Sequence, residues 1–135
     1  MRASQSSTAV GPLRVLVVED ENLIRWAVAE MLTEAGHTVL QATDAASALH
    51  ALEQTSDPFD VVLLDCHLPD SDDLSLLERI RQEAPSSAVV MMTAFGTAEM
   101  TAQAKSLGAY EVVAKPFDVA TIADLLVEAY RSNHV

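Results

Sequence analysis

Five short apolar runs recur along the chain, and each is followed by a stretch whose apolar residues repeat at helical spacing. The first, Leu13 to Val18 (LRVLVV), is β-branched and nearly continuous, whereas a strand with one wet face would alternate. Beyond it Leu23, Ile24, Ala27, Val28, Met31, Leu32 and Ala35 fall on one helical stripe, and Gly36 stops that stripe as a C-cap would. His37 to Thr43 reads as a second strand, and Asp44 can cap a helix with Ala45, Ala48, Leu49 and Leu52 on one face. Val61 to Leu64 is a third run; Pro69 marks the loop after it, and Leu74, Leu77, Ile80 and Ala84 suggest a helix ending at Pro85. Ala88 to Met92 and Tyr110 to Ala114 are the last two strands, separated by a helix over Thr97 to Leu107 that Gly108 closes. Asp118 caps a final helix carrying Ile122, Leu125, Leu126 and Ala129 on one side.

Strands that are apolar on both faces need cover on both faces, so this alternation predicts an α/β fold: one five-stranded parallel sheet between two layers of helices. Right-handed crossovers leave few topologies, and the doubly wound, flavodoxin-like order 2-1-3-4-5 is the common one at this size. The chain has 135 residues, half of them hydrophobic, which is one domain's worth of polypeptide with material for a real core. Residues 1–12 are Ser/Thr-rich and break at Gly11-Pro12, so they read as a flexible tail ahead of a domain over 13–132. There is no internal repeat.

Charge narrows the partners. Eight Lys+Arg against 20 Asp+Glu give a formal net charge of −12, which argues against nucleic-acid binding by this chain, since phosphate neutralisation needs clustered cations. The single cysteine, Cys66, excludes an intramolecular disulfide and fits a reducing compartment. No apolar run approaches the ~20 residues of a membrane span, and residues 1–10 lack a signal-peptide core, so the expected location is the cytoplasm, away from membranes.

Doubly wound sheets bind their ligands beyond the carboxyl ends of the strands. Those ends carry Glu19-Asp20 (with Glu21 next), Asp65, Thr93 and Lys115. Singly each has a bland reading: the acids as helix caps or solvated loop residues, Thr93 as a strand terminus, Lys115 before Pro116 as a surface charge. Together they crowd several carboxylates around one lysine, and two carboxylates 4 Å apart repel by about 4 kcal/mol at an effective dielectric near 20. A divalent cation offsets such crowding, and an all-oxygen ligand set favours Mg²⁺ over Zn²⁺.

The stretches VLVVEDEN, VVLLDCHLPD, VVMMTAFGT and LGAYEVVAKPF, in this order and strand context, resemble the receiver domain of bacterial two-component response regulators over Leu13 to about Arg131. MMTAFGTAEMTAQAKSLGAYEVVAKPF is most similar to receivers of nitrogen-regulatory-type transcription activators. The resemblance implies that Asp65 is the phosphoacceptor and that Asp20 is the main Mg²⁺ carboxylate. Glu19 would be the second acid of the pair, and the His67 backbone carbonyl the remaining protein metal ligand. Thr93 would supply the hydroxyl that contacts the phosphoryl group, Lys115 the cation that pairs with it, and Lys115-Pro116 a cis peptide. It further implies a sensor histidine kinase or phosphotransfer protein as donor, an output domain or protein as receiver of the signal, and admits a phosphorylation-dependent homodimer. Such a domain is no enzyme in the ordinary sense; it catalyses only its own phosphorylation and dephosphorylation.

Several positions depart from the family pattern. Val112 stands where an aromatic residue is usual, and Tyr110, two residues earlier and on the same face of a regular strand, is a candidate substitute. Asp73 takes a place often held by glycine, and Asp70, Asp72 and Asp73 read as a charged turn capping the third helix. His67 and Phe95 border the phosphoryl site, where their bulk would limit water access. Trp26 falls off the first helix's stripe and is expected to pack at its edge. The fourth helix is thin in large apolar groups. Two other functions compete: a degenerate receiver acting as a docking module, kept alive by Val112, and a haloacid-dehalogenase-like aspartyl phosphatase. The latter needs a second acid two residues after its nucleophile, where this chain has His67. A flavodoxin's flavin phosphate would be repelled by Glu19-Asp20-Glu21, and no G-x-G-x-x-G follows the first strand.

Overall fold

A computed structural model describes residues 11–133; the segment 1–10 that reads as a tail lies outside the described residues. The strands are β1 (Arg14–Val18), β2 (Thr38–Ala42), β3 (Val61–Asp65), β4 (Ala88–Thr93) and β5 (Ala109–Ala114). Between and after them run α1 (Asn22–Glu34), α2 (Ala45–Gln54), α3 (Ser75–Glu83), α4 (Ala98–Ser106) and α5 (Val119–Asn133). All neighbouring strands pair in parallel, in the order β2-β1-β3-β4-β5, which is the expected 2-1-3-4-5 topology.

The continuous apolar runs are the central strands. Every residue of β3 and β4 is buried, and so is β1 after Arg14. Their side chains alternate between two cores. Leu16, Val18, Val62, Leu64, Val89 and Met91 meet Ala48 of α2, Leu77 and Ile80 of α3 and Ala104 of α4. Val15, Val17, Leu63, Val90 and Met92 meet Val28 and Leu32 of α1 and Ile122, Leu126 and Ala129 of α5. The edge strand β2 is half wet, with Leu40 47 % exposed.

Local signals end the helices where the sequence places them. Asp44 accepts the Ser47 amide (2.8 Å) and the Ser47 hydroxyl answers the Asp44 amide, a complete capping box on α2. Gly36 takes φ 97° after α1, where its amide and that of His37 reach back to the Thr33 and Leu32 carbonyls.

Three expectations need correction. On α1, Leu23 is 73 % and Trp26 59 % exposed, so neither packs on or beside the stripe; Val28, Ala29 and Leu32 carry the burial. Of the acidic turn, Asp73 does serve α3, accepting the Ser75 amide at 2.9 Å and hydroxyl at 2.6 Å. Asp70 instead crosses to α2, where its two oxygens accept the Ala45 and Ala46 amides at 2.8 and 3.1 Å. The third concerns β5. Val89 pairs with Ala109 but Val90 pairs with Glu111, so Tyr110 is the extra residue of a bulge. The bulge sends Tyr110 into the α1/α5 core with Val113, while Val112 packs in the α2–α4 core. Tyr110 therefore cannot substitute for an aromatic ring at Val112.

Candidate functional site

The carboxyl ends of β1, β3 and β5 open onto a cleft of about 360 Å³ lined by Glu19, Asp20, Glu21, Asp65, His67, Ala94, Phe95 and Lys115. Glu19 extends the β1 ladder by one bond, from its amide to the Ala42 carbonyl at 3.0 Å, and its side chain is fully buried. Asp65 ends β3 and is also buried, whereas Asp20 is exposed at the rim. Oxygens of these three carboxylates all lie within 4.8 Å of one another. At that spacing each ionised pair repels by about 3.5 kcal/mol at an effective dielectric near 20.

One ammonium sits among them. Lys115 Nζ is 2.6 Å from Glu19 Oε1 and 3.1 Å from Asp65 Oδ2. The two buried carboxylates thus share one ammonium as their charged partner. Their other oxygens accept backbone amides: Glu19 Oε2 accepts the Glu21 amide at 3.0 Å, and Asp65 Oδ1 accepts the His67 amide at 3.1 Å.

Burial pushes the Glu19 carboxyl up to about 7; the Lys115 contact and the Glu21 amide pull against that rise, and the Asp65 carboxylate adds to it. Burial works against the Lys115 ammonium, but Glu19 and Asp65 outweigh it and leave the lysine above its ordinary value. Beside them Cys66 is buried, and burial, with Asp65 next to it, pushes its thiol up to about 11, so it stays a neutral thiol.

The donor set fits a hard cation. Three carboxylates from two strand ends face one another, an all-oxygen set whose mutual repulsion the Lys115 ammonium offsets only in part. Thr93 ends β4 just beneath the cleft, buried, its Oγ1 accepting the Phe95 amide at 3.2 Å. Its carbonyl accepts the Lys115 amide at 2.8 Å, which ties the ends of β4 and β5 together before the cis Lys115–Pro116 bond. His67 and Phe95 meet edge-to-face across the mouth, ring centroids 6.2 Å apart, and Phe95 is 82 % exposed.

So the structure brings Glu19, Asp20, Asp65, His67 and Lys115 to one cleft; Thr93, buried at the end of β4, is not in the lining, which Ala94 and Phe95 after it join. Sequence reasoning passes over Arg25, whose Nη1 donates to the Glu19 carbonyl at 2.9 Å and braces the acidic loop from α1. Its only sequence signal is a lone arginine one helical turn beyond the acids.

The model of the response regulator receiver domain matches residues 15–127. The chain belongs to that family. The receiver is 34 % identical over 111 residues to sporulation initiation phosphotransferase F of Bacillus subtilis, covering 82 % of this chain and 88 % of that protein. It is 36 % identical over 105 residues to the DNA-binding transcriptional regulator NtrC of Escherichia coli, covering 78 % of this chain but only 22 % of that longer protein. Among solved structures, the beryllofluoride-activated NtrC4 receiver domain dimer superposes with a TM-score of 0.81 at 30 % identity, covering 89 % of this chain and 98 % of that one. The similarity to nitrogen-regulatory receivers expected from the MMTAFGT region is thus present in both sequence and structure. The receiver is a signalling domain, and among its described residues no helix is long and apolar enough to cross a membrane.

Proposed function

We propose that this receiver, as a unit over residues 13–132, takes a phosphoryl group onto Asp65 from the phosphohistidine of a sensor kinase or phosphotransfer protein. A carboxylate oxygen of Asp65 attacks phosphorus while the P–N bond to the donor imidazole breaks, its electron pair staying with the departing nitrogen. Asp20, Asp65, Glu19 and the His67 carbonyl would hold Mg²⁺, which when bound neutralises charge on the phosphoryl oxygens. Lys115, already on Asp65 Oδ2, is placed to follow the developing charge, and Thr93 offers a hydroxyl from below. Water later cleaves the acyl phosphate, and the bulk of His67 and Phe95 at the mouth slows its approach.

The observation that carries this reading is the mutual proximity of the Glu19, Asp20 and Asp65 carboxylates, with Lys115 bonded to Asp65. The haloacid-dehalogenase alternative lacks its acid, because His67 occupies the position two residues on. The modified domain would act in the cytoplasm on an output domain or protein, and the NtrC4 likeness supports a second copy of the receiver as one such partner. Incubation with Mg²⁺ and acetyl phosphate, followed by intact mass, tests the chemistry. One acid-stable, base-labile phosphoryl group is expected, absent in Asp65→Asn. No uptake by the unaltered chain would identify a docking module instead.

A further inference from the structure

The loop from β4 to α4 contains a glycine whose need is spatial. Gly36 and Gly108 adopt positive φ, but Gly96 does not, so its backbone would accept any residue. Space would not: a Cβ on Gly96 would stand 2.7 Å from Thr93 Cγ2, with Met100 Cε 3.6 Å away on the other side. Two carbons cannot approach so closely, and the struck atom is not a flexible chain end. Thr93 is β-branched and buried, with few χ1 wells open to it, and its hydroxyl is held by the Phe95 amide at 3.2 Å. Its backbone is held as well, through the Lys115 amide.

We propose that Gly96 is a positioning residue for Thr93: the missing side chain is what lets the threonine keep its methyl under the loop and its hydroxyl beneath the cleft. The inference rests on the reading of Thr93 as the hydroxyl that meets the phosphoryl group. With a β-carbon at 96, one of two things must give. Either Thr93 turns about χ1 and abandons the Phe95 amide, or the loop lifts and takes Phe95, a wall of the cleft, with it. The first moves the hydroxyl relative to Asp65; the second strips it of its Phe95 donor and shifts a wall of the cleft. Neither displaces the backbone of Glu19 and Asp20, which follow β1, or of Asp65, which ends β3. Gly96 therefore acts on phosphoryl transfer more than on the three carboxylates of the cation site.

The test compares the unaltered chain, Gly96→Ala, Thr93→Ser and the double variant. Phosphoryl uptake from phosphoramidate with Mg²⁺ is timed by intact mass, Mg²⁺ affinity is titrated, and the residue-93 χ1 is read from NMR scalar couplings. Gly96→Ala should slow uptake about two- to ten-fold, the range for one displaced hydrogen bond, with Mg²⁺ affinity changed by less than about two-fold. Thr93→Ser keeps a hydroxyl and deletes the struck methyl. On that background the same Gly96→Ala change should alter the rate by less than about two-fold, whatever Thr93→Ser does by itself. An unchanged rate in Gly96→Ala, equal slowing on both backgrounds, or a parallel loss of Mg²⁺ affinity would overturn the proposal. If even the unaltered chain takes up no phosphoryl group, the phosphoacceptor reading fails by itself. The coupling measurement then still decides the steric claim, which an identical χ1 and an unmoved Phe95 amide signal in Gly96→Ala would refute.

Discussion

Ser87, at the amino ends of the strands, and Glu19, at the carboxyl ends, are equally buried polar side chains, and their surroundings differ in every other respect. The Ser87 hydroxyl donates to the Phe59 carbonyl at 2.6 Å and its carbonyl accepts from Arg81 Nη1 at 2.6 Å, while Asn133 at the end of α5 closes the same corner on the Ser86 carbonyl. Arg14 nearby donates from Nη2 to Thr55 at 2.8 Å and lies over the Phe59 ring, while its Nε is buried without an acceptor. Glu19, by contrast, faces two other carboxylates and shares a single ammonium with Asp65. Burying a satisfied polar group stabilises a corner; burying carboxylates against one another costs free energy and persists where function needs the charge. The amino rim is built to hold the sheet, and the carboxyl rim is built to bind.

If the two rims differ in this way, substitutions should separate them. Lys115→Met removes the only cation among the described residues that contacts Asp65 and should slow phosphoryl uptake about a hundred-fold, measured by intact mass with a small-molecule donor. Glu19→Gln should do something the amino rim never allows, namely stabilise the metal-free fold. Because burial lifts Glu19 to about 7 from 4.5, the folded chain binds that proton more tightly than the unfolded one. Its contribution to stability therefore declines as pH rises from 4.5 through 7 and stays low above that. At pH 8 without Mg²⁺, Glu19→Gln should gain about 1–3 kcal/mol by urea unfolding, lose that decline with pH, and bind Mg²⁺ more weakly. Ser87→Ala should invert this pattern. It leaves the Phe59 carbonyl unpaired and should cost about 1–3 kcal/mol, with phosphoryl uptake per folded molecule and Mg²⁺ affinity unchanged.

Most of the fold is legible in the sequence because strands buried on both faces write an unbroken apolar signature, as LRVLVV and VVMM do. The rim residues are legible because each sits at the first polar position after such a run. What escapes the sequence is long-range or one residue wide. Asp70 satisfies amides of α2 some 25 residues away in the chain, and no local pattern announces that partner. The bulge at Tyr110 inserts one residue into β5, which flips the face that strict alternation assigns. Leu23 is exposed although it shares the helical spacing of Val28 and Leu32, so periodicity alone misplaces it. Gly96 reads as an ordinary loop glycine until the Thr93 methyl beneath it is located.

The most direct measurement of the account is thermal unfolding with and without Mg²⁺ for the unaltered chain and for Asp20→Asn, the exposed member of the carboxylate group. At ten times its dissociation constant, Mg²⁺ should stabilise the unaltered chain by about 1.4 kcal/mol, a rise in Tm of about 5 °C. Asp20→Asn should lose most of that rise. A Tm that ignores Mg²⁺ in the unaltered chain, or that rises equally in Asp20→Asn, would contradict the claim that the carboxyl rim is assembled to hold a cation beside Asp65.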